Sequence, residues 1–226
     1  MIDGLYKSKL DTIWNVLARP VARVLTANQV TYSGLGLVVA SCAAFLWHGS
    51  TPLFGLCLLV SFAADSLDGA VARLRGEASH YGGYLDAMID RYQEVILFVV
   101  LGFVSGAYLP AFLACTGALI TSYAKARTAI EMSISNEDWP DFFERQERLI
   151  FVIVMLLVLP WLAFAFGKTE GQMMSLCLWI LAGLCHATAL QRFSRARNML
   201  STFDVATKAK AAPMQAPEQP QKHHLS

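Results

Sequence analysis

Six long apolar runs dominate the chain: Val30–His48, Pro52–Leu74, Tyr84–Ala107, Leu109–Ile130, Leu149–Phe166 and Gln172–Phe193. Each comes close to the roughly 20 helical residues that cross a hydrocarbon layer about 30 Å thick. Inside that layer the backbone must satisfy its own polar groups, which leaves only helices and closed barrels. No run alternates with a period of two, so a barrel is excluded. The composition agrees, with 55% hydrophobic and only 15% charged residues, against about a quarter charged in soluble domains. The expected fold is an all-α integral membrane protein with six transmembrane helices.

The stretch before the first run has another character. Leu10, Ile13, Trp14, Leu17, Val21, Val24 and Leu25 recur at helical spacing, with Lys9, Asp11, Arg19 and Arg23 between them. That pattern predicts an amphipathic helix over residues 1–27, lying along the membrane surface and bent near Pro20. The opening Met1-Ile2-Asp3-Gly4 shows no signal-peptide pattern, so insertion is expected to rest on the internal spans. A six-helix domain is expected over 28–200 and a disordered tail over 201–226, where Ala, Pro, Gln and Lys prevail.

Basic residues gather on one side of the predicted spans. Lys7, Lys9, Arg19 and Arg23 precede the first; Arg73 and Arg75 lie between the second and third; Lys125, Arg127, Arg145 and Arg148 lie between the fourth and fifth. Arg192, Arg195, Arg197, Lys208, Lys210 and Lys222 belong to the end of the sixth and beyond. Lys168 alone marks the opposite side. The expected topology places both termini in the cytoplasm of a multi-pass protein of the cell membrane. A net charge of +1 gives no argument for a nucleic-acid partner. Five isolated cysteines in apolar surroundings read as buried thiols, not as zinc ligands or disulfides.

Against this apolar background, Asp65 and Asp68 close the second span and Asp86 and Asp90 open the third. Ionisable groups in a span are costly and usually functional. Spacings of three and four put each pair on one helical face, about 4.5 and 6 Å apart along the axis. A short connection makes the two helices antiparallel, so the four carboxylates meet at one depth, on the cytoplasmic side. Their mutual repulsion calls for a cation, and hard oxygen donors favour Mg²⁺ or Mn²⁺, with enough ligands for two ions. Helix caps and salt bridges to Arg73 and Arg91 are the plainer alternative. Gly69, Ala72 and Gly82, near these acids, leave room for a diphosphate or for close helix packing.

The run Asp65-Ser66-Leu67-Asp68-Gly69-Ala70-Val71-Ala72-Arg73, followed by Gly82, Asp86 and Asp90, resembles the signature of the CDP-alcohol phosphotransferases. The resemblance implies transfer of a phosphatidyl or archaetidyl group from a CDP-linked lipid to an alcohol, with release of CMP. It implies that Asp65, Asp68, Asp86 and Asp90 bind metal and that Asp90 also serves as general base. It assigns Gly69, Ala72, Arg73 and Gly82 to the CDP-lipid. Asn28-Gln29-Val30-Thr31 is similar to the family's Pro-Asn-x-x-Thr element, with Ala27 in place of the proline, and adds Asn28 and Thr31 to that set; an N-cap for the first span explains them equally.

Further stretches, Ser122-Tyr123-Ala124-Lys125-Ala126-Arg127, Glu144-Arg145-Gln146-Glu147-Arg148-Leu149 and Thr188-Ala189-Leu190-Gln191-Arg192, resemble the members that use inositol 1-phosphate. Gln146 stands where those members usually carry proline. Their acceptor phosphate would be held by Lys125, Arg148 and Arg192, which membrane anchoring also accounts for singly. The donor expected is CDP-diacylglycerol or CDP-archaeol, and the family implies a homodimer. Glycerol 3-phosphate is the alternative acceptor, and a membrane cation transporter the alternative of a different class.

Overall fold

The structure, a computed structural model, describes residues 14–134, 139 and 142–211. Among the described residues the chain is helical throughout, with no strand. The helices are α1 (residues 14–22), α2 (Ala27–His48), α3 (Thr51–Asp65), α4 (Asp68–Arg75), α5 (His80–Ser105), α6 (Tyr108–Glu131), α7 (Arg145–Ala165) and α8 (Glu170–Ala211). Helices α2 to α8 cover the six predicted runs, the second run being α3 and α4 together. By length and composition α2, α3 with α4, α7 and α8 are able to cross a membrane. Helices α5 and α6 are as long, but Asp86, Asp90, Arg91 and Glu94 in one, and Lys125 and Arg127 in the other, dilute their apolar character. Several apolar helices around one core make this a multi-pass membrane protein.

Two boundaries differ from expectation. The second span is not one regular helix, because the ladder breaks at Ser66 and Leu67, between α3 and α4. Both residues stay right-handed (φ −60° and −81°), and the Leu67 N–H bonds to the Ala64 carbonyl at 3.2 Å, a tightened turn. Asp68 therefore opens a new short helix instead of continuing the face of Asp65. The tail boundary also moves, since α8 continues to Ala211 and residues 201–211 are helical. The rest of the predicted tail, 212–226, and the predicted amphipathic segment 1–13 lie outside the described residues. Of that segment's continuation, residues 14–22 are helical through Pro20.

Packing explains why the site is held firmly. Helix α6 lies along α8, α2 along α3 and α5, and α7 bridges α3 and α8. A Cβ on Gly117 of α6 would stand 2.8 Å from the Cys185 Cβ of α8, so only glycine allows those backbones to come this close. The Phe45 and Phe54 rings stack at 4.4 Å across α2 and α3. Nearer the acidic end, Ala18 of α1 is fully buried against Val30, Ala70 and Val71, with Trp14, Val21 and Leu67 beside them. The chain leaves α4 through Gly76 (φ +67°), where the Glu77 N–H bonds to the Ala72 carbonyl at 2.9 Å. The Ser79 hydroxyl then caps α5 by accepting from the Gly82 N–H at 3.0 Å. This connection of four residues leads from α4 into α5.

Candidate active site

Asp65, at the last turn of α3, is 4% exposed. Its Oδ1 accepts a 3.1 Å bond from the Gln93 amide on α5. Gly34 on α2 faces the same oxygen, and a Cβ there would lie 2.2 Å from it. The other oxygen, Oδ2, is 3.4 Å from Nη2 of Arg145 on α7. That guanidinium nitrogen also lies 2.6 Å from Asp90 Oδ1 and 2.7 Å from the Gln93 amide oxygen. One cation thus stands between the acids of α3 and α5, with Phe62 beneath its guanidinium at 5.8 Å.

Asp68, at the start of α4, accepts from the Thr31 hydroxyl at 2.8 Å, and its own chain neighbour Gly69 donates to its other oxygen at 2.5 Å. Asp68 is close enough to Asp86 and Asp65 to feel their charge, and Asp90 feels Asp86 and Asp65 in turn. The four predicted acids do form one cluster. Among the described residues, no three of them are arranged as ligands about one point. The donor set nevertheless suits a divalent cation. All four groups are hard carboxylates, and Asp90 Oδ1 is buried without a well-directed hydrogen bond despite its short contact with Arg145.

Three cavities open onto this cluster. The first, about 490 Å³, is a groove walled by Leu59, Phe62, Leu149, Ile150 and Ile153, with Asp65, Asp68, Asp86 and Asp90 at its polar end. The second, about 250 Å³, is lined by Asn28, Thr31, Gly69, Ala72, Arg73 and Gly82, together with Asp68 and Asp86. All six residues that the resemblance assigned to the CDP-lipid meet there. The third, about 450 Å³, is basic: Arg91, Lys125, Arg145, Arg148 and Arg192 line it beside Asp90, Ser122 and Glu144. Asp68 and Asp86 form a wall common to the first two cavities, and Asp90 and Arg145 a wall common to the first and third.

The family model described as CDP-alcohol phosphatidyltransferase matches residues 24–190. The chain belongs to this family. Among its relatives is the archaetidylinositol phosphate synthase of Methanothermobacter thermautotrophicus, 31% identical over 175 residues, which are 74% of this chain and 81% of the relative. The phosphatidylinositol phosphate synthase of Mycolicibacterium smegmatis is 31% identical over 207 residues, 80% and 84% of the two chains. The phosphatidylinositol phosphate synthase of Mycobacterium tuberculosis, solved with CDP-DAG bound, superposes with a TM-score of 0.69 at 27% identity. That match covers 82% of this chain and 94% of the other. A further structure of that synthase, in complex with manganese and citrate, gives 0.68, again at 27% identity, covering 81% and 88% of the two chains. The chain is therefore an enzyme of phospholipid synthesis.

All thirteen predicted site residues line one of the three cavities, but not all in the expected manner. Arg148, expected to grip an acceptor phosphate, directs Nε and Nη2 at Glu94 Oε1 (2.9 and 2.8 Å) and Nη1 at the Phe143 carbonyl (3.4 Å). Arg192 donates to the Thr121 carbonyl and stands 3.6 Å from Glu144. Sequence reasoning missed Arg145, Gln93, Glu94 and Gly34. Gln93 and Glu94 carried a signal, being polar residues within an apolar run, three and four positions after Asp90 and so on its face. Gly34 carried none beyond its place three residues after Thr31.

Proposed function

We propose that this enzyme transfers a phosphatidyl group from CDP-diacylglycerol to inositol 1-phosphate, releasing CMP. The observation that carries this reading is the meeting of three chemically distinct cavities at one acidic cluster. The groove suits acyl chains, the glycine-lined cavity with Asn28 and Arg73 suits a cytidine diphosphate, and the basic cavity suits a phosphorylated alcohol. An ether-linked donor, CDP-archaeol, fits the same apolar groove. The named synthases among the relatives favour an inositol phosphate as acceptor.

In this reading the donor lies with its diphosphate over Asp68 and Asp86, between groove and nucleotide cavity. Two divalent cations, Mg²⁺ or Mn²⁺, held by Asp65, Asp68, Asp86 and Asp90, would draw charge from the diphosphate and stabilise CMP as it leaves. Thr31 keeps the Asp68 carboxylate turned into its cavity, and Gln93 does the same for Asp65. Lys125 and Arg192 place the acceptor phosphate, with Arg148 as the wall behind it. Asp90, common to groove and basic cavity, takes the proton of the attacking hydroxyl; its Oδ1 is the buried acceptor that has no well-directed bond. The oxygen of that hydroxyl bonds to the lipid phosphorus, and the phosphorus–oxygen bond to CMP breaks. Six spans, with residues 1–27 along the membrane surface, would put this site at the cytoplasmic face, where the basic residues gather, and we expect a homodimer.

The experiment is CMP release by purified protein with CDP-diacylglycerol and Mg²⁺, comparing inositol 1-phosphate with glycerol 3-phosphate. Release with inositol 1-phosphate alone is expected. Release with glycerol 3-phosphate alone would refute the acceptor assignment while keeping the reaction.

A further inference from the structure

Glu94 lies one turn beyond Asp90 on α5, its side chain 2% exposed. A carboxylate so buried is tolerated only when cations meet it. Two do. Arg148 of α7 sends both Nε (2.9 Å) and Nη2 (2.8 Å) to its Oε1. Arg91, three residues back on α5, brings Nε to 3.3 Å from Oε2. From there Arg91 reaches the Ser122 hydroxyl on α6, and Arg148 reaches the Phe143 carbonyl just ahead of α7. One carboxylate therefore gathers groups from α5, α6 and α7, the helices that supply most of the wall of the basic cavity.

The two arginines are near enough to repel one another, and Glu94 is the charge that offsets this. With its three guanidinium nitrogens directed into protein, Arg148 forms a fixed surface and not a mobile hand. Released, its side chain is long enough to swing into the 450 Å³ that it now borders. We infer that Glu94 is a positioning residue: by fixing Arg91 and Arg148 it sets the shape and charge of the cavity that receives the phosphorylated acceptor. This rests on the reading that the basic cavity takes that substrate.

The test is steady-state CMP release by the full-length enzyme in detergent, varying each substrate in turn, with Glu94→Gln and Glu94→Asp beside the wild type. For Glu94→Gln the KM for inositol 1-phosphate is expected to rise at least tenfold, while the KM for CDP-diacylglycerol stays within twofold. Glu94→Asp keeps the charge and is expected to recover most of the acceptor KM. A thermal melt shows whether Glu94→Gln folds. If it does not, Arg148→Lys, which keeps the charge of the cavity wall but cannot send two nitrogens to Glu94 Oε1, is measured instead and should show the same split. Equal changes in both KM values, or no change in the acceptor KM, would overturn the inference. A wild type that is silent with inositol 1-phosphate would refute the acceptor reading instead, and the same comparison would then be made with the acceptor it does use.

Discussion

Gly34→Ala is the smallest change that should disable the enzyme. The added Cβ would stand 2.2 Å from Asp65 Oδ1, 3.0 Å from its Cγ and 3.1 Å from its Cβ, so rotation of the carboxylate alone gives no relief. Bringing 2.2 Å out to the 3.4 Å of ordinary contact moves that oxygen by about 1.2 Å. It would also break the 3.1 Å bond from Gln93. A misplacement of about 1 Å in a catalytic group costs on the order of 100-fold in rate, or about 2.7 kcal/mol of barrier. The fold should survive: overpacking costs about 1–3 kcal/mol, and alanine returns roughly 0.5–1 kcal/mol of helix propensity. Gly36→Ala is the control, for it lies on the same helix and a Cβ there meets nothing within 4 Å. Initial rates of CMP release and thermal melts of both variants decide the matter. Gly34→Ala within threefold of wild type would show that the placement of Asp65 does not limit turnover. Equal loss in both variants would show that the damage comes from α2 and not from the contact.

Asp90→Asn should abolish turnover while binding of CDP-diacylglycerol, measured by isothermal titration, persists; retained turnover would remove Asp90 from proton abstraction. Lys125→Ala should raise the KM for inositol 1-phosphate about tenfold with little change in that for the donor, and an unchanged KM would point to a neutral alcohol as acceptor. Treatment with EDTA should stop CMP release, and added Mg²⁺ or Mn²⁺ should restore it; release without a divalent ion would overturn the metal role of the aspartates.

The acidic cluster was legible because an ionisable residue inside an apolar run needs a reason, and four at turn spacing need a common one. The same logic reached the helical runs from α2 to α8. It failed where context decides. Ser66 and Leu67 carry no glycine or proline beside them, and the flanking Asp65 and Asp68 read as one helical face, so nothing local marks the break between α3 and α4. Helix α8 runs on over residues 201–211, where polar composition implies disorder, because no glycine or proline occurs between Gly183 and Pro213 to end it. Arg145 and Arg148 are equivalent in the sequence, two basic residues three apart at the start of one helix. Packing of α7 against α3 and α8 separates them, giving Arg145 the acids of the site and Arg148 the buried Glu94. Such a choice is tertiary, and periodicity carries no trace of it.

The different reach of the two predictions, reaction and acceptor, follows from how the cavities are built. The glycine-lined cavity and the acidic cluster come mostly from one stretch, Asp65 to Asp90, which turns back through Gly76 and Ser79. Because neighbours in sequence become neighbours in space there, fixed spacing is enough to specify the site, and a motif of 26 residues identifies the reaction. The basic cavity draws on α5, α6, α7 and α8, with Arg91, Lys125, Arg145 and Arg192 far apart along the chain. Its affinity depends on how these helices pack, and on a charge, Glu94, buried behind its wall. In the proposed reading, the residues that receive the acceptor are thus scattered, individually plain, and recognisable only after α7 has been packed against α3 and α8.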